Sequence, residues 1–418
     1  MKVLFITNYY PPFEIGGYEQ LCRDVVERML VRGHEVQVLT SDHGVGSRPH
    51  VDPPYVCRDL RLHIRYNDRM NIPLQFLWRR PRAEAHDRRC LSASVDRFAP
   101  DVVFIWNLQG LPRSIALEAE ALSGPGAAYW LAGYSPAEPD EYWLYWTQPA
   151  LKGARTPIKS LLTPYALSVL RSEGKPVRPE MRHVAVVSEY MLRKGTGDGT
   201  LPDHARVIYN GVEIERFFKP VSNDLNETLS LLQAGRVSAD KGVHLAVEAI
   251  GHLARVRGIR NVKLYIAGSG PAEYLAELQK SVAHYDIGNQ VSFLGWLPRE
   301  SMPDLLSRCQ VLLLPTIHQE PFARVVLEAM AGGLAVIGTL TGGTGELLEE
   351  GITGLTFSPD DSGGLARQIE RLALDPGLRR RIATEGQQMV CERFSLEHMV
   401  DEVEALLREA AVDQGRNR

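Results

Sequence analysis

Two cations and two glutamates carry the chemistry this sequence offers most openly. The stretch Gly235-Arg236-Val-Ser-Ala-Asp-Lys241-Gly242 follows a short apolar run and puts Arg236 and Lys241 in one glycine-flanked loop. A guanidinium presents a planar fork to two phosphate oxygens and an ammonium adds a point charge, so the pair suits a diphosphate. Farther on, Thr316-Ile-His-Gln-Glu320-Pro-Phe-Ala-Arg-Val-Val-Leu-Glu328 sets Glu320 at the mouth of an expected helix and Glu328 about two turns inside it. Pro321 fits a helix's first turn, which would leave the amides of Phe322, Ala323 and Arg324 as orphan donors at a positive helix end. A carboxylate only accepts hydrogen bonds, so Glu320 and Glu328 suit the hydroxyls of a sugar and would repel phosphate. The roles therefore divide, with amides, Arg236 and Lys241 for phosphate and the glutamates for diols. Each feature also has a bland reading: solvated surface charge, a dipole cap at Glu320, an exposed helix face at Glu328.

Two glycine pairs belong to the same kind of loop. Gly342-Gly343-Thr-Gly-Glu346 is expected to open another helix, and Gly16-Gly17 precedes the first one. Either pair alone is an ordinary turn signal. Several such loops at one edge of a parallel sheet say more, because ligands of open α/β sheets bind where strand carboxyl ends feed loops and helix N-termini.

The elements that must position these residues repeat one theme: a short apolar strand, a polar or Gly-rich loop, then an amphipathic helix. In the first half, strands are expected at 2–8, 35–40, 101–106 and 184–187, with a helix over 18–32 in which Leu21, Val25, Val26, Leu30 and Val31 recur at helical spacing. The second half restarts with strands at 229–233, 262–267, 291–294, 311–315 and 335–337. Its helices are expected at 243–254, 274–284, 302–308, 324–331 and from Glu346 onward. Strands alternating with helices mean βαβ units and parallel sheets, hence an α/β chain of two doubly wound domains. The polar, proline-bearing stretch 219–227 reads as a linker. The Arg- and Pro-rich region 42–94 shows little periodicity and reads as a variable insertion on the acceptor side. A last helix is expected over 396–410.

At 418 residues, 44% hydrophobic and 23% charged with a net charge of −4, the chain has real cores and no global basic field, so nucleic acid is not an expected partner. Cys22, Cys57, Cys90, Cys309 and Cys391 are an odd, scattered set without C-x-x-C, which fits a reducing cytoplasm better than disulfides or zinc. The N-terminus enters a strand at once, unlike a signal peptide, and no apolar run is long enough to span a bilayer. Arginines crowd at Arg79, Arg80, Arg82, Arg88 and Arg89, and basic residues again at Arg171, Lys175, Arg178 and Arg182. They read first as solvated faces, and otherwise as a patch for an anionic membrane surface or a phosphorylated substrate. Tyr129, Trp130, Tyr134, Tyr142, Trp143, Tyr145 and Trp146 read as core, or as a stacking wall for a sugar or lipid-linked acceptor, or as a membrane-interface surface.

Read together, these residues resemble glycosyltransferase family 4. Asn8-Tyr-Tyr-Pro-Pro-Phe-Glu-Ile-Gly-Gly-Tyr-Glu19 is similar to the family's glycine loop, and Val187-Ser-Glu189, Ile208-Tyr-Asn-Gly-Val212, Asp240-Lys-Gly242, Ile266-Ala-Gly268-Ser-Gly-Pro271, Val291-Ser-Phe-Leu-Gly295, Glu320-Pro-Phe through Glu328-Ala-Met and Glu350-Gly-Ile-Thr-Gly-Leu355 follow in order along the chain. The resemblance implies the GT-B fold, two Rossmann-like domains facing each other across a cleft: 1–212 with a returning helix at about 396–418, and 213–395. It implies transfer of a sugar from a nucleotide-diphosphate donor to a hydroxyl of a glycan, lipid-linked saccharide or small glycoside, with retention of anomeric configuration and no protein nucleophile. Glu320, Arg236 and Lys241 would be the catalytic groups. Gly16, Gly17, Arg236, Lys241, Gly268, Phe322, Ala323, Arg324, Glu328, Gly342 and Gly343 would hold the donor, Glu328 at the ribose. No D-x-D is present, so neither a metal nor any other cofactor is expected. Arg236 and Lys241 supply the positive charge instead. The cysteine set makes the cytoplasm the expected setting, and the aromatic residues beside Arg171–Arg182 add peripheral contact with the inner face of a membrane as a second expectation. The chain departs from the family pattern on the acceptor side, where Trp106-Asn107 and Tyr129-Trp-Leu131-Ala stand in place of common histidines, and at Ala323, where glycine is commoner.

Rival readings fare worse. A nicotinamide enzyme would show G-x-G-x-x-G directly after the first strand, which is absent. Gly133-Tyr-Ser135-Pro-Ala137 approximates a nucleophile elbow, but Pro136 has no N–H for an oxyanion hole. A GT-B scaffold without turnover is the alternative that remains.

Overall fold

The computed structural model describes residues 1–14, 16–47, 49–63, 75–133, 136–139, 141–149, 156–221 and 228–417. They form two compact units: Met1–Val187 with Leu192–Ile208 and Val400–Arg418, and Ser188–Met191 with Tyr209–Met399.

The first unit holds a seven-stranded sheet in the order β3-β2-β1-β4-β5-β6-β7, all neighbours parallel. The strands are β1 Lys2–Thr7, β2 Glu35–Ser41, β3 Val56–Leu60, β4 Val102–Asn107, β5 Ala127–Leu131, β6 His183–Val186 and β7 Arg206–Val207. A parallel sheet is covered on both faces, so its central strands read as unbroken apolar runs. Thus Val3–Ile6 and Val102–Ile105 are wholly buried. The helix Gly17–Val31 packs its stripe of Leu21, Cys22, Val25, Val26 and Met29 inward. Gly33, at φ 82°, turns the chain into β2.

The second unit holds six parallel strands in the order β10-β9-β8-β11-β12-β13. They are β8 Leu229–Ala234, β9 Val262–Ala267, β10 Val291–Gly295, β11 Val311–Leu314, β12 Ala335–Thr339 and β13 Leu355–Phe357. Its core includes Leu231, Leu264, Val311 and Ile337 from the sheet and Ala246, Ile250 and Leu253 from the helix Val243–Val256.

The α/β class and both doubly wound units are as the sequence pattern requires. The differences from expectation are local. No helix opens at Glu346: Gly342–Glu346 is a single 3₁₀ turn, and its glycines favour that over a helix. The Glu346 carboxylate is engaged elsewhere, accepting the amides of Glu189 and Tyr190 and the Tyr209 hydroxyl at 3.1, 2.8 and 2.9 Å. The helix after β11 spans Arg324–Ala331, the expected range, so Pro321 stands before its first turn and not in it. The region 42–94 is ordered where described, with β3, a π-helical turn Gln75–Arg79 and the helix Arg80–Phe98. The last helix runs on to Asn417. Positions 222–227 of the expected linker, and Tyr134 and Ser135, lie outside the described residues.

Candidate functional site

Four loops at the carboxyl edge of the second sheet, after the neighbouring strands β9, β8, β11 and β12, carry most of the singled-out residues. Their glycines let the loops approach one another. A Cβ at Gly268, at φ 146°, would collide with the Gly235 carbonyl, and one at Gly242, at φ 66°, with the Pro315 carbonyl. A Cβ at Gly342 would strike the Glu320 backbone, and one at Gly343 the Pro321 carbonyl and Ser188. The amides of Gly342 and Gly343 are engaged within the protein: the first donates to the Gln319 side chain at 2.7 Å, the second to the Glu320 carbonyl at 2.8 Å.

At the centre, the Lys241 ammonium donates to the Glu320 carboxylate in a short ion pair. Both side chains are largely buried, 21% and 11% exposed. His318 completes the cluster. Its Nε2 stands 3.3 Å from the same Glu320 oxygen, and its Nδ1 lies 3.2 Å from the Asp240 carbonyl. That carbonyl also accepts the Ile317 amide at 2.9 Å, which ties the β8 loop to the β11 loop. Arg236 lies at the rim, its guanidinium 3.5 Å from the Asp240 carboxylate. Burial would raise the pKa of Asp240, but the Ser238 hydroxyl and the charges of Arg236, His318 and Lys241 outweigh it and hold the carboxyl below its usual range.

Beyond Glu320 the chain is anchored by aromatic packing. Phe322 is fully buried against Tyr209 and Phe394, with ring centroids 5.1 and 5.7 Å away, and its carbonyl accepts the Asn210 amide at 3.0 Å. Ala323 is the N-cap of the helix Arg324–Ala331 and offers no side-chain cap. The positive end of the helix dipole is thus unneutralised by its own N-cap. Along this helix Arg324 and Glu328 face each other at 3.9 Å, both mostly buried. Glu328 is therefore no solvated surface charge.

Arg236, Lys241, Glu320, Phe322, Ala323, Arg324, Glu328, Gly342 and Gly343 thus share one sheet edge, with Gly268 on the adjoining loop. Gly16 and Gly17 belong to the first unit. There Gly16 is the N-cap of the first helix, and its amide donates to Glu19 at 2.8 Å. Sequence reasoning did not single out His318 or Gln319, and it quoted Asp240 in a motif without giving it a role. The one signal is their place beside Glu320 and Lys241 in sequence: His318 meets Glu320 and the Asp240 carbonyl, while Gln319 accepts the Gly342 amide.

Of the aromatic group, Tyr129, Trp130, Tyr142 and Trp146 are core side chains. Trp130 stacks on Trp106 at 4.3 Å and donates to the Ile208 carbonyl at 2.9 Å. The basic stretches are also mixed. Arg79, Arg82, Arg88, Arg89, Arg171, Arg178 and Arg182 are exposed. Arg80 is buried, with two bonds to Glu173 at 2.5 and 2.6 Å, and Lys175 is buried at 3.0 Å from Glu84.

Comparison with known proteins agrees with this geometry. Residues 215–389 match the family model described as glycosyl transferases group 1. An uncharacterized glycosyltransferase of Methanocaldococcus jannaschii is 24% identical over 442 residues, covering 100% of both chains. Glycogen synthase of Mycobacterium tuberculosis is 25% identical, covering 94% of this chain and 91% of its own. Among solved structures, Alr3699/HepE of Anabaena in complex with UDP superimposes with a TM-score of 0.67 at 17% identity, covering 98% of this chain and 100% of that one. With two Rossmann-like units of the kind found in GT-B structures, and a group 1 glycosyltransferase match over residues 215–389 of the unit that carries the cluster, the chain is a transferase of the glycosyltransferase class.

Proposed function

We propose that the chain transfers a sugar from a nucleotide-diphosphate donor to a hydroxyl acceptor, with retention at the anomeric carbon, in the manner of family 4. The observation that carries this reading is the convergence of Lys241, Glu320 and His318 beside Arg236 and an uncapped helix N-terminus, all on one sheet edge. In that reading Arg236 and Lys241 neutralise the diphosphate as the sugar's C1–O bond to it breaks. The acceptor oxygen forms the new bond to C1 on the same face, and its proton passes to the departing phosphate oxygen. Glu320 holds sugar hydroxyls, Glu328 the ribose, and the first-turn amides the phosphate or sugar. Gly16, Gly17, Gly268, Gly342 and Gly343 complete the donor-binding set. Since two side-chain cations supply the positive charge, the reaction needs no metal or other cofactor.

The UDP complex of the Anabaena protein supports trying uridine nucleotides first. Glycans or lipid-linked saccharides are the acceptor class, and the exposed arginines Arg79, Arg82, Arg171 and Arg178 suit peripheral contact with the inner, anionic face of a cytoplasmic membrane. Among the described residues no helix is long and apolar enough to cross one. The test is incubation with UDP-sugars and glycan or lipid-linked acceptors in excess EDTA, with the product's anomeric configuration read by proton NMR. An α-linked product from an α-linked donor is expected. An inverted product would refute retention, and dependence on added Mg²⁺ or Mn²⁺ would refute the metal-free chemistry. Absence of sugar release from every nucleotide-sugar tried would refute the reading itself.

A further inference from the structure

The glycine amides on the turn after β12 have partners of two different kinds. The Gly343 amide donates to the Glu320 backbone carbonyl at 2.8 Å, a partner that no side-chain rotation removes. The Gly342 amide donates to the Gln319 side-chain oxygen at 2.7 Å, and Gln319 is exposed. A neutral carboxamide on a rotatable stem is an acceptor that a ligand can replace.

The donor side of this bond is fixed. Gly342 stands at φ 61°, and a Cβ there would strike the Glu320 carbonyl, so the turn lies directly against the β11 loop. The residue before it is held as well. The Thr341 hydroxyl lies 3.0 Å from that of Thr339 and 3.4 Å from the Thr316 carbonyl, and all three threonines are buried. Thr339 donates to the same carbonyl at 2.6 Å. The backbone around Gln319 is also anchored. The amides of Ile317 and His318 lie on the Asp240 carbonyl at 2.9 and 3.4 Å, and the Glu320 side chain is paired with Lys241. What can move is the exposed Gln319 side chain.

We propose that the Gln319 carboxamide is a placeholder for a phosphate oxygen of the donor: a diphosphate that takes the Gly342 amide displaces it, so Gln319 sets how tightly the donor binds. This rests on the reading that Gly342 belongs to the donor-binding set. It gives the two glycines different parts. Gly342 supplies an amide, whereas Gly343, whose amide is committed, supplies the space a side chain would take beside Pro321 and Ser188. An anionic oxygen is roughly twice as strong an acceptor as a neutral one, and the displaced carboxamide, being exposed, returns to water. The exchange therefore favours the diphosphate, while its affinity is lowered by the worth of the bond that is broken.

The test is calorimetric titration of the full chain with UDP, GDP, ADP and TDP, for the wild type, Gln319→Ala and Gln319→Glu, together with the melting temperature of each protein without nucleotide. Gln319→Ala should bind the preferred diphosphate about two- to tenfold more tightly than the wild type, although it melts no higher. Gln319→Glu should bind it about tenfold or more weakly, because a carboxylate holds the amide harder and repels the diphosphate. Unchanged or weaker binding by a folded Gln319→Ala would overturn the proposal, since a side chain that merely braces the turn gives no gain when removed. Equal binding by Gln319→Glu and the wild type would overturn it too. A wild type that binds none of these diphosphates would refute the donor reading itself, and the proposal with it.

Discussion

The Lys241–Glu320 pair makes a quantitative demand on nucleotide binding. A diphosphate brought to Lys241 also meets the Glu320 carboxylate, and the lysine is what makes the two anions compatible. Lys241→Met therefore removes an attraction and also exposes a repulsion, whereas in a Glu320→Gln background it removes the attraction alone. Two unit charges in hydrogen-bond contact at ~3 Å interact by roughly 5 kcal/mol at an effective dielectric of 20. The side chains are 21% and 11% exposed, so water screens part of this. A coupling of about 1–3 kcal/mol is the appropriate expectation, within the range measured for residues in direct contact. UDP affinity by calorimetry should be measured for the wild type, Lys241→Met, Glu320→Gln and the double variant. Lys241→Met should cost about 5–150-fold more affinity in the wild-type background than beside Glu320→Gln. Losses that add within ~0.5 kcal/mol would refute the argument, because the pair would then not act as a unit at the ligand.

Two further expectations follow from the same geometry and from the first unit. His318 bridges Glu320 and the Asp240 carbonyl, so His318→Ala should lower kcat/KM about tenfold or more, while His318→Gln, which can still reach one of these groups, should recover part of the loss. Equal activity of the wild type and His318→Ala would show that the bridge is idle. Asp87 is buried, and burial raises its pKa from 3.8 to about 8 in spite of the Arg61 amide, which it accepts at 3.0 Å. The fold therefore keeps a proton that the unfolded chain releases. Its stabilising share is complete below the unfolded value and is lost as pH rises to about 8. Asp87→Asn preserves the acceptor for Arg61 without titrating, so its melting temperature should fall less between pH 5 and 8 than that of the wild type. Identical pH slopes would contradict the assignment.

The parallel sheets were legible because their strands are short, uniformly apolar runs such as Val3–Ile6 and Val311–Leu314, bounded by glycines and polar loops. Charge-bearing loops at the strand ends were legible for the same reason, since the strand pattern fixes which end of the sheet they occupy. What stayed hidden depends on side-chain partners far apart in sequence. Nothing local in Thr316-Ile-His-Gln-Glu says that His318 will meet Asp240, 78 residues away. Nor does the Arg-rich run around Arg80 say that one of its arginines will be buried on Glu173, 93 positions on. Glu346 misled because an acid after a glycine run looks like a helix start. In the fold its carboxylate caps the amides of Glu189 and Tyr190, which no spacing rule connects to it.

The central claim is that the second unit's sheet edge binds a nucleoside diphosphate through Arg236, Lys241 and the helix end at Arg324. The most direct measurement is thermal unfolding of the full chain with UDP, GDP, ADP and TDP at rising concentration, for the wild type and Arg236→Gln/Lys241→Met. At about 100 times its dissociation constant a ligand adds ~2.7 kcal/mol to the state that binds it. One of these nucleotides should raise the wild-type transition by several degrees and leave the double variant unmoved. A folded wild type that no nucleotide stabilises, or a double variant stabilised equally, would contradict the account.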